Sequence, residues 1–581
     1  MRSRGLISVV FSLGCQPGGA ADDRDDEIGE SSGFEAITDL PSEADAESET
    51  DFETETGEPD CAEPQPCESC ECVAATWQCE CTPATPEAGF TTLEPHDYAI
   101  GLPGDPPTPL SASGHRQFWS YRPADTNAWS APLFVFFNGG PAVSSAMLLG
   151  LNIGPKTFAP PATAGADLAD NPHSWTRLGN LLWIDAHQVG FSYSVLDDPS
   201  DLLARQAALG FANFNSYLDA ADFVRVLLRF LAEHPELRDN PVVIVAESYG
   251  GTRAQLMLDM LLHPQAYASG ERRLIDPTLV GEIAAHHLAR FGEVEPEPAT
   301  IAEQFGHQVL IQPALTGLRQ QTSAGALFEL PDSPIEALAG ELGLDYLRCA
   351  EQQGPCSPYD NAQQFVASAG RSPYDTRAPS SWLNDLFTLT NARCNDAAAL
   401  GELLGVALGD IEGLDPSSRA QAWRLTQLDA YPSDAEAGDL DDALGALAPW
   451  DRYFLVFEVG ALNRFRGYDA RVLEVDPADP HFGEHLLRNL LWVDTMITAA
   501  SYDVVVYTPA LPDALRQYDA LVAAIEVAPE QWTIDYRSDA FAQWPAPGSR
   551  EVYVPSYAAS HAVSLDAPEQ LLADVEAWLG P

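Results

Sequence analysis

Ser248 lies between an apolar, β-branched run, Val242–Ala246, and a glycine pair, Gly250 and Gly251. The run predicts a buried parallel strand, and the glycines predict a sharp turn into a helix. A serine on that turn stands at the carboxyl end of a strand, where ligands bind in open α/β sheets. Its hydroxyl becomes a useful nucleophile only when a base removes its proton. His561 is the candidate base, and a carboxylate is then needed to orient its imidazole and stabilise the charged form. Asp513 is the first choice, because it follows the apolar run Val504–Tyr507, which reads as a late strand; Asp503 and Asp519 are the alternatives. Each residue also has a plainer reading. Ser248 could occupy an ordinary strand–helix turn, and Asp513 suits a helix N-cap before Ala-Leu-Arg-Gln-Tyr. A surface or structural role is the default for most of the 12 histidines.

Three further segments must position these groups. Phe134–Ser145 is an apolar strand running into Asn-Gly-Gly-Pro, a loop able to aim backbone N–H groups at a developing oxyanion. The residue after the serine, Tyr249, supplies another such N–H. Asn171–Ser194 carries Asn-Pro-His-Ser-Trp, then Asp185, then Gly-Phe-Ser-Tyr. Val552–Pro568 ends a strand and places His561 in a loop before the amphipathic helix Pro568–Leu579.

At these residues the chain resembles the serine carboxypeptidases, a family of α/β-hydrolases. The family's loop Asn-Gly-Gly-Pro-Gly-x-Ser-Ser corresponds to Asn138–Ser145, with Ala142 in place of a glycine. Its Gly-Glu-Ser-Tyr-Gly-Gly corresponds to Ala246–Gly251. Its Asn-Pro-x-Ser-Trp, aspartate and Gly-Phe-Ser-Tyr correspond to Asn171–Trp175, Asp185 and Gly190–Tyr193. Its histidine segment corresponds to Ser560–Pro568, with Ser560 replacing glycine. The segments occur in family order, and the likeness runs from about Ser111 to the C-terminus.

The resemblance implies an α/β fold: a central, mostly parallel sheet with a largely helical cap insertion at roughly residues 255–490. It implies a serine-type carboxypeptidase that releases C-terminal residues from peptides or proteins through an acyl-enzyme, with Ser248, Asp513 and His561 as the triad. Gly140 and Tyr249 match the oxyanion hole. Asn138 and Glu247 match the groups that hold the substrate's terminal carboxylate, and Gly139 is placed to add an N–H. Asn152 stands where many relatives have a second glutamate, which puts their acidic pH preference in question. The family's cysteine at Val143 is absent, which leaves Cys349, Cys356 and Cys394 as an odd set. An esterase or acyltransferase on the same scaffold is the alternative within the class. A binding protein on a decayed hydrolase fold is the alternative outside it.

Composition bounds the rest. The 581 residues carry a net charge of −56, and residues 22–60 hold 17 acids and one base. Such an excess disfavours nucleic acid and anionic membranes as partners. Arg2, Arg4 and the apolar Leu6–Leu13 read as a signal peptide (residues 1–15), with Cys15 as a lipidation site, so the expected location is extracytoplasmic. That anchor is the one membrane contact expected. Residues 16–60 are too charged and too poor in apolar groups to fold, and read as a tether. Six cysteines at residues 61–89 suggest a small disulfide framework, with zinc a less fitting alternative because no histidine is near. The catalytic domain is then 90–581. No P-loop, dinucleotide fingerprint or transmembrane run appears, and no cofactor or metal is expected.

Overall fold

The computed structural model describes residues 70–73, 76–79, 84–101, 106–141, 143–158, 168–196, 201–208 and 210–315. It also describes scattered residues between 329 and 345, and 347–356, 397–414, 488–500, 503, 506, 541–543, 551–559 and 561–580. The chain divides into two units, and one of them holds the described residues 70–73 and 76–79. Within that unit, Cys70–Val73 and Thr76–Cys79 pair as an antiparallel hairpin with Cys70 opposite Cys79. Cys15 and residues 16–60 lie outside the described residues.

The remaining unit is built on a sheet of ten strands. In chain order they are β1 (Glu87–Leu93), β2 (His115–Arg122), β3 (Leu133–Phe137), β4 (Asn180–Ile184), β5 (Tyr193–Ser194), β6 (Val242–Glu247), β7 (His307–Ile311), β8 (Asp494–Ile497), β9 (Phe541–Gln543) and β10 (Glu551–Tyr553). The spatial order is β5-β2-β4-β3-β6-β7-β8-β10-β9, with β1 on β2. The six strands from β4 to β10 pair in parallel, and the outer strands β1, β2, β5 and β9 pair antiparallel. This is the central, mostly parallel sheet expected of the α/β fold.

Parallel strands covered on both faces should be apolar throughout, and β3 reads Leu-Phe-Val-Phe-Phe with every residue buried. The two-residue period of a strand divides these side chains between two cores. Leu133, Val135, Phe137, Ile244 and Ala246 join one core, with helices α1 (Ser216–Glu233), α2 (Gly250–Leu262) and α3 (Pro277–Phe291). Phe134, Phe136, Val243 and Val245 join the other, with α4 (Ala397–Leu404) and the C-terminal α5 (Pro568–Leu579). Local signals start the helices. Asn215 accepts from Leu218 N–H before α1, and Asp276 accepts from Leu279 N–H before α3, where Pro277 tolerates the first turn. No helix among the described residues is long and apolar enough to cross a membrane.

Two boundaries differ from the expectation. Strand β7, helix α3 and most of α2 fall inside the interval 255–490 expected to be a cap, yet they form the sheet and one of its layers. Helix α4 also packs on the sheet. Arg122 Nη2 donates to Leu403 O at 2.7 Å, and Lys156 bridges Asp170 and Glu402 at 2.9 and 3.0 Å. Any cap is therefore shorter than that interval. The strand before the acid is β8; Val504, Val505 and Tyr507 lie outside the described residues. Its disguise is a buried polar ladder: Gln255 Nε2 donates to Gln308 Oε1 at 2.9 Å, and Gln308 Nε2 to Thr495 Oγ1 at 2.8 Å. Polar residues on a central strand hide it from a hydrophobicity pattern, although paired they are compatible with burial.

Phe136 stacks on Trp183 at 5.3 Å and meets Trp175 edge-on at 5.5 Å. Phe136→Ala is expected to destabilise by about 3–5 kcal/mol, as phenylalanine deletions in cores do. Leu288 is 54% exposed, and its change to alanine should fall within about 0.5 kcal/mol of wild type. Urea unfolding followed by tryptophan fluorescence checks both.

Candidate active site

Ser248 leaves β6 with φ 60°, a left-handed conformation that non-glycine residues seldom adopt. Its N–H donates to Ile311 O at 3.0 Å, and its C=O accepts from Ala314 N at 2.8 Å and Gly251 N at 2.9 Å. The turn is thus gripped by the chain leaving β7. The side chain is half-buried while its neighbours on both sides are buried. Glycine is required behind it, because a Cβ on Gly251 would stand 2.5 Å from Pro313 Cβ. The departure at Ala246 is absorbed: its methyl lies 3.3 Å from where a Cβ on Gly250 would be, a space that glycine leaves open.

The loop after β3 lies directly against this turn. A Cβ on Gly139 would come within 2.5 Å of Tyr249 N, 2.6 Å of Glu247 O and 2.7 Å of Ser248 Cβ. Only a glycine lets the two backbones approach so closely. The N–H of Gly140 (φ 108°) has no partner among the described residues. Gly139 differs from the expectation, since its N–H donates to Asn138 Oδ1 at 3.0 Å. That bond fixes the Asn138 amide and leaves Nδ2, which is buried without a partner among the described residues.

Two buried charges hold the loop. Arg253 on α2 donates to Asn138 O at 2.6 Å and Pro141 O at 3.3 Å. Asp219 on α1 receives its Nε at 2.8 Å and Nη2 at 3.2 Å, and its guanidinium lies 4.3 Å from the Phe223 ring centroid. Asp185 accepts from Ser144 Oγ, Ser145 Oγ, Ser145 N and Phe191 N at 3.1, 2.7, 2.8 and 3.3 Å. Burial pushes the Asp185 carboxyl up to about 6, with those donors opposing it. Gly190 is needed beside it, because a Cβ there would collide with Asp185 Oδ2.

His561 Nδ1 is 2.7 Å from Asp503 Oδ2, and both side chains are buried. The carboxylate on the imidazole is therefore Asp503, not Asp513, which lies outside the described residues together with Asp519. The reason is the strand assignment: with β8 ending at Ile497, the segment at its carboxyl end contains Asp503. The short parallel pair Ala499–Ala500 and Ser556–Tyr557 then brings the acid and histidine segments side by side. Burial alone would lower the His561 pKa, but the Asp503 charge and hydrogen bond, helped by Glu247, raise it above the ordinary value. Glu247 is pushed up to about 7, first by burial and further by Asp503, against the pull of His561.

Asn152 sits in the π-turn Leu149–Ile153 with φ 67°, and its Oδ1 accepts from Thr157 Oγ1 at 3.0 Å. This turn packs on the short helix Val563–Asp566 that follows His561. Ala142 and Ser560 lie outside the described residues. Cys349 and Cys356 are joined in a disulfide, so neither is a free thiol, while Cys394 lies outside the described residues. Sequence reasoning assigned no role to Arg253 or Asp219. The available signal was a charge placed among buried apolar residues of each helix, Asp219 beside Tyr217 and Leu218 and Arg253 beside Ala254 and Leu256.

Residues 109–272 match the family described as Serine carboxypeptidase. Serine carboxypeptidase-like 49 of Arabidopsis thaliana is 34% identical over 125 residues, which is 22% of this chain and 21% of that protein. Serine carboxypeptidase-like 41 of the same plant is 27% identical over 201 residues, 32% of this chain and 39% of its own. The chain therefore spans well under half the length of these relatives. Among solved structures, the Saccharomyces cerevisiae prohormone-processing carboxypeptidase KEX1(DELTA)P aligns at TM-score 0.41 and 14% identity, covering 85% of this chain and 91% of that one.

Asp503→Asn is expected to lower turnover by roughly 10³–10⁴-fold, because an amide holds the wrong imidazole tautomer. Asp513→Asn should leave turnover near wild type. Steady-state kinetics on one substrate compares them; equal losses would return Asp513 to the site.

Proposed function

We propose that this chain, whose residues 109–272 match the serine carboxypeptidase family, releases C-terminal residues from peptides through an acyl-enzyme on Ser248. His561, oriented by Asp503, takes the Ser248 Oγ proton at Nε2 while Oγ attacks the carbonyl carbon of the last peptide bond. The oxyanion accepts from the N–H groups of Gly140 and Tyr249. As the tetrahedral intermediate collapses, the C–N bond breaks and His561 gives its proton to the leaving amine, which departs as the C-terminal residue. Water then attacks the acyl group with His561 again as base. This frees the shortened peptide as a carboxylate and restores the serine.

The observation that carries the exopeptidase reading is the pair beside the turn: Asn138 Nδ2, buried without a partner among the described residues, and Glu247, pushed up to about 7. A protonated glutamate and an amide each donate a hydrogen bond. Together they suit a substrate's terminal carboxylate and repel it once Glu247 ionises. The sign is as follows. Glu247 is protonated below about 7, mainly because burial disfavours its charge, so substrate binding is strong there and fails as pH rises through that value. His561 must be neutral to act as base, so activity is also lost as pH falls through its raised pKa. Exported function accords with the cysteine-rich N-terminal segment.

Peptides with a free C-terminus should be cleaved at least about 10-fold faster in kcat/KM than their C-terminal amides, the loss of one charge-assisted bond being worth that much. Equal rates would favour an esterase or general hydrolase. For the free acids, KM should rise above pH 7 while kcat holds; for the amides that rise should be absent. Asn152→Glu tests the remaining position. A second glutamate sharing protons with Glu247 would deprive the site of activity at neutral pH relative to wild type. An unchanged profile would remove Asn152 from the site.

A further inference from the structure

Gln312 is the first residue after β7, fully buried, and left-handed with φ 47°. Its side chain is hydrogen-bonded at both ends of the amide. Oε1 accepts from Ala500 N at 2.9 Å and from Thr498 Oγ1 at 3.1 Å. Those two donors decide which end of the amide faces which way. Nε2 is left to donate to Asp503 Oδ2 at 2.7 Å, the same oxygen that His561 Nδ1 approaches. Asp503 Oδ1 takes Val506 N–H at 3.0 Å. The backbone of Gln312 is held as well, its N–H donating to Thr498 Oγ1 at 3.0 Å. On either side of it, Ile311 O and Ala314 N bond the N–H and C=O of Ser248.

We infer that Gln312 is a positioning residue of the catalytic centre, which ties the turn carrying Ser248 to the carboxylate that orients His561. The inference rests on the serine hydrolase reading above. It goes beyond that reading by giving the acid a named orienting partner from β7. The argument is one of connectivity. Ser248 lies on the turn after β6 and Asp503 on the loop after β8, and β7 lies between these strands. The residue leaving β7 is bonded to both neighbours, by its flanking backbone on one side and by its amide on the other. A carboxylate with two donors on one oxygen and a third on the other has its plane fixed, and the imidazole bonded to it is fixed in turn. An amide suits this place because it donates to Asp503 and accepts from Ala500 N–H at any pH. A carboxylate in its place would have to retain a proton to do the same.

Two variants of the full-length protein test this, with labelling of Ser248 by a fluorophosphonate, followed by mass spectrometry across pH, as the readout of nucleophile activation. Steady-state kcat and KM and the thermal midpoint at each pH accompany it. Among the described residues, the titratable groups facing this amide and its imidazole include Asp503, His561 and Glu247. Gln312→Leu should slow labelling and kcat by roughly 10–100-fold, the range usual when the partner behind a working group is removed, with KM little changed. Because Asp503 Oδ2 then loses the donor that competes with His561, the acid limb should move to higher pH. Gln312→Glu should approach wild-type rates at acid pH, where its protonated carboxyl mimics the amide. It should lose them as pH rises and two carboxylates face each other, while the thermal midpoint shows the protein still folded. A wild type that labels, with both variants labelling at its rate and with its pH limb, overturns the inference. So does a loss in both variants that follows the thermal midpoint alone. A wild type that does not label at Ser248 overturns the hydrolase reading and this inference together.

Discussion

Ser248 is held in the left-handed region by three backbone hydrogen bonds, two of them from the chain that leaves β7. For a residue with a Cβ that conformation costs about 1–2 kcal/mol, so it persists only where surrounding structure over-determines it. Here the register does so. Glu247 is paired with Ile311 in parallel, which sets Ile311 O to receive the Ser248 N–H. The other site elements take their places from this turn. Gly139 approaches it so closely that no side chain would fit, Arg253 ties the loop of Gly139 to the helix that begins behind the serine, and Gln312 lies inside its grip.

Four carboxylates are buried around the turn, and the supply of donors separates their roles. Asp219 faces the Arg253 guanidinium in a two-point pair, which makes it part of the scaffold. Asp185 accepts four hydrogen bonds and binds the two loops beside the site into one body. Asp503 accepts from an amide and a backbone N–H and faces an imidazole, so its orientation is constrained from three directions. Glu247 is buried as deeply but has no hydrogen bond among the influences on its pKa, and burial drives it toward the protonated form. A carboxyl that is buried and poorly supplied with donors is the one suited to receive an anion from outside.

Much of this was legible in the chain. The continuous apolar runs of β3 and β6 declare strands buried on both faces, since no other arrangement removes so many consecutive branched side chains from water. The glycines at 139, 250 and 251 mark places where chain segments meet closely, and the structure uses them so. Less was legible near the acid. Val504–Tyr507 has the composition of a strand, whereas β8 carries Asp494 and Thr495 and conceals its burial behind the Gln255–Gln308–Thr495 ladder. The links of that ladder join residues 53 and 187 positions apart, and hydrophobic periodicity is blind to them.

The sequence by itself determined the chemistry and its local frames: a serine on a strand–helix turn, a glycine loop to face it, a histidine near the C-terminus, and the parallel sheet that joins them. These depend on short-range causes, namely backbone freedom at glycine, side-chain alternation along a strand, and the need for a base beside a hydroxyl. Only the tertiary structure decided which aspartate stands behind the histidine, how Asn138 spends its hydrogen bonds, and that α4 covers the sheet. Those outcomes depend on which buried donors meet which acceptors across separate strands. Hydrogen bonds of about 3 Å between residues such as Gln312 and Asp503 are selected by the packing of the whole sheet, and spacing along the chain carries no record of them.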